Sequence, residues 1–469
     1  MTVTPPAFTH RDPGTAESVW WSAREWDDVP TLDISAIAAR YRNVLIVSAH
    51  PDDETLGAGG LMTDLADLGV SITVAVATAG EKCQPNLSTS QQQRMAVRRR
   101  REVEQAIGGL TSQARLVHFE LPDGDLALHE PHLCREITEL SGADTLILAP
   151  WTGDGHADHD ALGRAAIAAS HANGSAIAHF PIWLWHWGTP DMLAWEHLVA
   201  AETSLVGCWR KRGAVGAFTS QLHPTNGGQA EADVPPIIGA SMRARSRRLV
   251  EVFIDEHHAL PVFSPSHHTQ LHLDRSDRFD DMYDDGPDPW KNVGSFYEKR
   301  RRELILAMLG SARYARVLEL GCADGFLTAA LVARADTVLA FDTSRRAVAA
   351  ARVNAPAATV ERGDLPDLLS DAAVQRFDLI VLSEVGYFLT ATELLATLRR
   401  ARAALNPAGE LVLCHWQHPT HRVPLDGVLV HEQARDFMGV EPRAKHRDGD
   451  LRIDIWGDAP SVAALEGRV

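Results

Sequence analysis

Two short segments of this chain concentrate side chains that ionise or bind metal. The first, Ala49-His50-Pro51-Asp52-Asp53-Glu54, places an imidazole and three carboxylates within a few residues; the second is Gly155-His156-Ala157-Asp158-His159-Asp160. Such groups are costly to desolvate together unless they hold a cation or do acid–base work. His50 and Asp53 can converge on one cation, and a third ligand from the second segment completes two imidazoles and one carboxylate. That is the open donor set of a catalytic zinc, leaving a position for water; ferrous iron suits the same donors. Such a metal acidifies water and polarises a carbonyl. Asp52 stands where it can take the water's proton, and His156 or His159 where it can steady an oxyanion. The competing reading makes Asp52 or Asp53 a cap for a helix from Glu54, and two clusters rather than one weigh against it.

A different chemistry is written at residues 316–331, RVLELGCADGFLTAAL, which reads as strand, glycine loop and helix. Gly321 and Gly325 let backbone approach a ligand closely. The next strand ends in Asp342, about 20 residues on, where an acidic side chain accepts both hydroxyls of a ribose. The second glycine falls at the fifth position of the loop and Glu319 precedes it, a pattern that favours S-adenosylmethionine over a nicotinamide dinucleotide. Asp364, after a third short strand, is placed to meet an adenine amine. Glu384, Tyr387, His415 and His418 are the polar groups nearest the remaining strand ends.

Loops after parallel strands must position both sets. Short β-branched runs at 43–49, 71–78, 115–119 and 145–150 alternate with helical patterns at 54–69, 91–107 and 160–171. A second alternation starts near residue 300, with strands at 316–320, 337–342, 378–383 and 410–415. The expected fold class is α/β, two Rossmann-like domains with mostly parallel sheets. Residues 1–42 read as an irregular lead-in, 43–265 as the first domain, 266–300 as a junction and entry segment, and 301–469 as the second domain. Pro181–Trp187, PIWLWHW, reads as a strand with Trp183, Trp185 and Trp187 on one face, a wall for a sugar or a packed interface.

Composition sets the outer limits. The 469 residues carry 45 Lys+Arg against 62 Asp+Glu, a net charge of −17, which disfavours nucleic acid as a partner. No apolar run of about 18 residues predicts a membrane span. The N-terminal residues lack the pattern of a signal peptide. Five widely spaced cysteines suit reduced thiols. A cytoplasmic location follows as the expectation.

The first two motifs, with Leu121-Pro122-Asp123-Gly124, resemble the PIG-L/LmbE-like family of metal-dependent de-N-acetylases over roughly residues 43–222. Ala157 stands where proline is common in that family. The resemblance implies metal ligands His50, Asp53 and His159, and Asp52 as general base. It further implies that His156 stabilises the tetrahedral intermediate with Asp158 orienting it, and that Asp123 and Arg99 contact substrate. Residues 297–456 resemble class I S-adenosylmethionine-dependent methyltransferases. Asp280–Tyr297, Gly321-Cys322-Ala323 and Ser383-Glu384-Val385-Gly386-Tyr387 look more narrowly like the nodulation-type N-methyltransferases, which methylate the free amine of a deacetylated chitooligosaccharide. This resemblance implies cofactor contacts from Glu319, Gly321, Asp342 and Asp364, with Glu384 and Tyr387 toward the acceptor. Together the two resemblances imply hydrolysis of an N-acetyl group on an amino-sugar conjugate, with zinc or another divalent metal, followed by methylation of the freed amine. The alternatives are a deacetylase joined to an O-methyltransferase or to a methyltransferase for another small molecule, or a non-catalytic sugar-binding module serving the methyltransferase.

Overall fold

The apolar run after residue 42 forms strand β1 (Asn43–Ser48), buried on both faces: Val44 and Ile46 join one core cluster, Leu45 and Val47 the other. A parallel strand covered by helices on both sides needs such a run. The computed structural model describes residues 8–223, 235–284, 286, 288–369, 376–420 and 423–469. They divide into two compact units, Met1–Phe263 and Ser264–Val469.

In the first unit β1 is followed by β2 (Ser71–Thr78), β3 (Arg115–Leu121), β4 (Thr145–Pro150), β5 (Ala176–Phe180), β6 (Leu198–Glu202) and β7 (Val250–Ile254). Their order is β3-β2-β1-β4-β5-β7-β6. β1 to β5 are parallel, and β7 pairs antiparallel with both β5 and β6. The second unit holds β8 (Tyr314–Leu320), β9 (Ala335–Asp342), β10 (Thr359–Arg362), β11 (Phe377–Ser383), β12 (Leu405–Trp416), β13 (Ala444–Arg447) and β14 (Leu451–Trp456). Its order, β10-β9-β8-β11-β12-β14-β13, repeats the first sheet strand for strand, including the antiparallel pairs at one end. Each sheet thus has one place where strand order reverses, between β1 and β4 and between β8 and β11. The loops after those strands flank a crevice at the carboxyl edge.

Three expectations are corrected here. The lead-in is not irregular throughout. Glu17–Ser22 and Ile34–Arg40 are helical, and Trp20 and Trp21 are buried. Leu32 N–H donates to Ala200 O on β6, so the segment is part of the first unit. The expected junction at 266–300 falls in the second unit, whose helix Pro265–Asp281 includes much of it. Residues 181–187 do not form a strand: β5 stops at Phe180 and Leu184–Trp187 make one helical turn. The backbone N–H groups of Ile182, Trp183 and Leu184 all donate to the Asp154 carboxylate, which leaves them unavailable to a sheet ladder.

Glu17 anchors the amino-terminal helix. Its carboxylate takes both Nε (2.8 Å) and Nη2 (2.9 Å) of Arg248, with Arg245 Nε 3.4 Å away, all nearly inaccessible. Arg248 also lies over the Trp185 ring at 4.2 Å. Removing the carboxylate leaves two buried guanidinium groups uncompensated, so Glu17→Ala should destabilise the first unit by about 3–5 kcal/mol. Urea unfolding followed by tryptophan fluorescence measures this, and a loss under about 1 kcal/mol would return the segment to the status of a loose lead-in.

Candidate active sites

At the first crevice the chain leaves β1 through His50 and enters the helix Asp53–Asp67 at Asp52, whose φ of 135° is strained for a residue with a side chain. Gly57 lets this helix lie against β5, because a Cβ there would meet the Phe180 ring at 2.3 Å. Asp52 occupies the N-cap position but its side chain makes no cap hydrogen bond. It pairs instead with Arg99 Nη2 at 3.0 Å. Arg99 also donates to Pro51 O (2.6 Å) and Gly80 O (3.1 Å), and alone in the four-arginine run it is buried. Arg98 reaches Glu102, and Arg100 reaches the exposed Glu120. Arg99 therefore lines the cleft while holding the Asp52 loop.

The loop after β4 and the first turn of the helix Ala157–Asn173 that follows it bring His156 and His159 beside His50. Nitrogens of the three imidazoles lie within 4.8 Å of one another. Asp53 Oδ2 sits between, 3.4 Å from His50 Nδ1 and 3.2 Å from His159 Nε2. His159 Nε2 and His156 Nδ1 are buried without a hydrogen-bond partner. Two buried unpartnered imidazole nitrogens around a carboxylate fit a divalent cation, and His50, Asp53 and His159 would hold it. Burial opposes charge on His159, but Asp53 and Asp154 outweigh it and hold the ring's pKa up to about 10. A divalent ion among the same carboxylates would displace that proton. Burial, reinforced by the charges on His159 and His50, pushes His156 down to about 3. Burial raises Asp52 to about 7, with Arg99 opposing.

Asp123 and Asp158 also come to this site. Asp123 Oδ1 lies 3.2 Å from His50 Nε2, and its other oxygen accepts the Lys82 N–H. Burial would raise the Asp123 carboxyl, but the hydrogen bond and charge of His50, with the Lys82 N–H and the Arg99 charge, together outweigh it and bring it to about 2. Asp158 was expected to orient His156. Its described hydrogen bonds are instead with Gly124 N–H, Leu126 N–H and His50 Nε2 (3.2 Å), because it points back under the loop after β3. His50, Asp123 and Asp158 form a second cluster with cation-binding spacing. Trp183 lines the cleft with Phe8 and His10, whereas Trp185 is buried under Trp20 and Trp26.

At the second crevice the Gly321–Gly325 loop follows β8. Gly321 has φ +78°, and a Cβ there would meet Val385 Cγ2 at 2.1 Å. Ala323 N–H and Ser344 N–H each donate to Asp342 at 2.9 Å. Burial lifts Asp342 to about 6 against these bonds, and lifts Glu319 to about 8. Glu319, Gly321, Asp342, Glu384 and Tyr387 line one cavity with Trp290. Glu319 Oε2 and Glu384 Oε1 are buried in it without a partner. A glycine loop that admits close backbone approach, a buried acid and a strand-end carboxylate fit an adenosyl cofactor. Asp364 is not among the residues lining this cavity; it accepts the Thr343 hydroxyl instead.

Glu384, with φ +61°, accepts the Tyr387 hydroxyl on Oε2. Burial raises its pKa against the pull of Arg301. His415 lies beneath this turn: its Nε2 accepts Gly386 N–H at 3.0 Å, and its Nδ1 lies 3.1 Å from His431 Nε2. His418 pairs with Asp450, half exposed. Sequence reading missed Asp154, Phe8 and His10 in the first site, and Tyr283, Asn292 and Arg301 in the second. Tyr283 and Asn292 both donate to Asp324 in the glycine loop; both fall within the Asp280–Tyr297 segment already singled out by its resemblance, which gave neither a role.

Residues 45–170 match the family model described as PIG-L, GlcNAc-PI de-N-acetylase, and residues 317–409 match a methyltransferase domain model. Nodulation protein S of Sinorhizobium fredii is 28% identical over 127 residues, 27% of this chain and 59% of that protein. The Probable N-acetyl-alpha-D-glucosaminyl L-malate deacetylase 2 of Bacillus cereus is 30% identical over 138 residues, 27% of this chain and 60% of that protein. The chain thus spans about three fifths of the length of these curated relatives. The crystal structure of N-methyltransferase NodS from Bradyrhizobium japonicum with S-adenosyl-L-homocysteine is 22% identical, covering 37% of this chain and 93% of that one, with a TM-score of 0.33. The chain joins a PIG-L deacetylase domain at its amino-terminal side to a methyltransferase domain at its carboxyl-terminal side.

Proposed function

We propose that the protein is a two-site enzyme in which the first unit hydrolyses an N-acetyl group on an amino-sugar conjugate and the second methylates the freed amine. The observation that carries the first half is the convergence of His50, His156 and His159, with the Asp53 carboxylate between His50 and His159. The match to a de-N-acetylase model and the likeness to a glucosaminyl deacetylase support the amino sugar. The likeness to Nodulation protein S, with the nodulation-type motifs, supports an amine as acceptor.

A divalent metal, when bound by His50, Asp53 and His159, would supply Lewis acidity toward an amide carbonyl and an attacking water. Asp52, raised toward neutrality by burial and steered by Arg99, accepts the water's proton and returns it to the departing nitrogen. His156 lies beside His50 at a ring separation of 4.9 Å and steadies the charge that develops on the carbonyl oxygen. The C–N bond breaks, leaving acetate and a free amine. Asp123 and Trp183 bound the sugar.

In the second unit S-adenosylmethionine would supply the methyl group, held by Glu319, Gly321 and Asp342. The free Oε1 of Glu384 receives an amine N–H, and Tyr387 fixes the other oxygen. The cofactor would offer its electrophilic methyl to the amine lone pair, and Glu384 takes the proton that the amine loses. Methyl transfer asks chiefly for this alignment and a neutral amine.

Incubating the full chain with zinc and a panel of N-acetylglucosaminides, then adding S-adenosylmethionine, should give acetyl loss followed by methyl gain on the same molecule by mass spectrometry. Acetyl loss with no later methyl gain would defeat the sequential reading. A second outcome concerns protons. Glu319, raised to about 8 by burial, is mostly protonated in the free protein at pH 7. A ligand ammonium beside it favours the carboxylate. S-adenosylhomocysteine binding should therefore release a proton between pH 6 and 8, seen by calorimetry in buffers of different ionisation enthalpy, and Glu319→Gln should abolish the release. Proton uptake would contradict the assignment.

A further inference from the structure

Asp154 belongs to neither motif of the first site, yet its carboxylate is completely buried and receives four N–H groups. They come from His159 Nδ1 at 2.7 Å and from the backbone of Ile182 (2.9 Å), Trp183 (3.0 Å) and Leu184 (2.9 Å). Its own carbonyl accepts the Trp187 indole N–H at 2.8 Å. An ionised carboxylate offers about four lone-pair sites, and here all are taken. Only an acceptor-only side chain of this length satisfies the place. With Nδ1–H committed to Asp154, His159 has only Nε2 left to turn toward Asp53 and His50, and that nitrogen is buried without a hydrogen-bond partner. Metal-ligating histidines characteristically donate their other N–H to such a carboxylate, which fixes ring orientation. The same carboxylate holds the turn bearing Trp183, which lines the cleft and packs on Phe8 at a ring separation of 5.6 Å.

We propose that Asp154 is a positioning residue that ties the metal-facing imidazole of His159 and the Trp183 wall of the cleft to one carboxylate, so that metal affinity and the shape of the substrate wall are set together. The inference rests on the metal-dependent reading of the first unit.

The test uses the full chain, metal-stripped, with zinc and cobalt(II) as probes. Asparagine keeps the size of Asp154 but turns an NH2 group toward incoming donors. Asp154→Asn should lower zinc affinity about 10–100-fold in competition with a chromogenic chelator and alter the visible spectrum of the cobalt form. Trp183→Phe, which keeps the backbone N–H, should bind zinc within about twofold of wild type, as expected for a side chain outside the ligand shell. Wild-type zinc affinity and an unchanged cobalt spectrum in Asp154→Asn would overturn the inference. Failure of the wild-type protein to bind either metal would instead overturn the metal-dependent reading beneath it. Should Asp154→Asn not fold, the wild-type protein decides: a slowly exchanging low-field imidazole proton, absent in His159→Gln, supports the bond, and its absence in the wild type refutes it.

Discussion

A parallel sheet whose strand order reverses once must open at that point. The crossovers on either side of the reversal leave toward opposite faces, so the loops after the two adjoining strands cannot cover each other. In this protein that constraint operates twice with one topology. β1 and β4 adjoin in the first sheet, β8 and β11 in the second. The loops beyond β1 and β4 carry His50 to Asp53 and His156 to His159. Those beyond β8 and β11 carry Gly321 to Gly325 and Glu384 to Tyr387. The proposed metal ligands and both proposed proton acceptors stand at those four strand ends, while Asp123 after β3 and Asp342 at the end of β9 complete the two sites from their flanks.

The two crevices share a second physical feature. The carboxylates proposed to move protons, Asp52 and Glu384, both have positive φ, at 135° and 61°. Backbone in such regions costs of order 1–3 kcal/mol and persists only where its surroundings over-determine it. Here they do. Arg99, anchored to Gly80 O after β2, grips the Asp52 loop at Pro51 O and at the Asp52 carboxylate. Below Glu384, Gly386 N–H donates to His415, which meets His431, which pairs with Asp454 at 2.7 Å. Because the last nitrogen of that chain already accepts a backbone N–H, the pair of histidines braces the turn rather than conducting protons. Burial keeps both rings' pKa values down, as a neutral brace requires.

Much of this was legible in the sequence. β1, β2 and β4 announced themselves as apolar β-branched runs, β1 and β4 of them leading into ionisable clusters, and the glycine loop followed β8 at the expected place. Local order hid the rest. The antiparallel strands β6, β7, β13 and β14 at one end of each sheet are short, and β6 finds its partner β7 far along the chain. The alternating tryptophans of 183–187 carry a strand's pattern, but the Asp154 carboxylate withdraws their backbone donors. Asp154 itself carries no motif, since its significance lies in four donors brought from elsewhere in the chain. The amino-terminal helices depend on Glu17 meeting Arg248, a pair 231 positions apart that no periodicity records.

The central claim is that the loops after β1 and β4 build one cation site from His50, Asp53 and His159. Among the described residues two clusters of cation-binding spacing share His50, and only one of them includes His159. Anomalous diffraction at the zinc edge from crystals of the full chain grown with zinc separates them directly. The account predicts a single strong peak in contact with His50, Asp53 and His159. A peak among His50, Asp123 and Asp158, or no peak in the first unit, would contradict it.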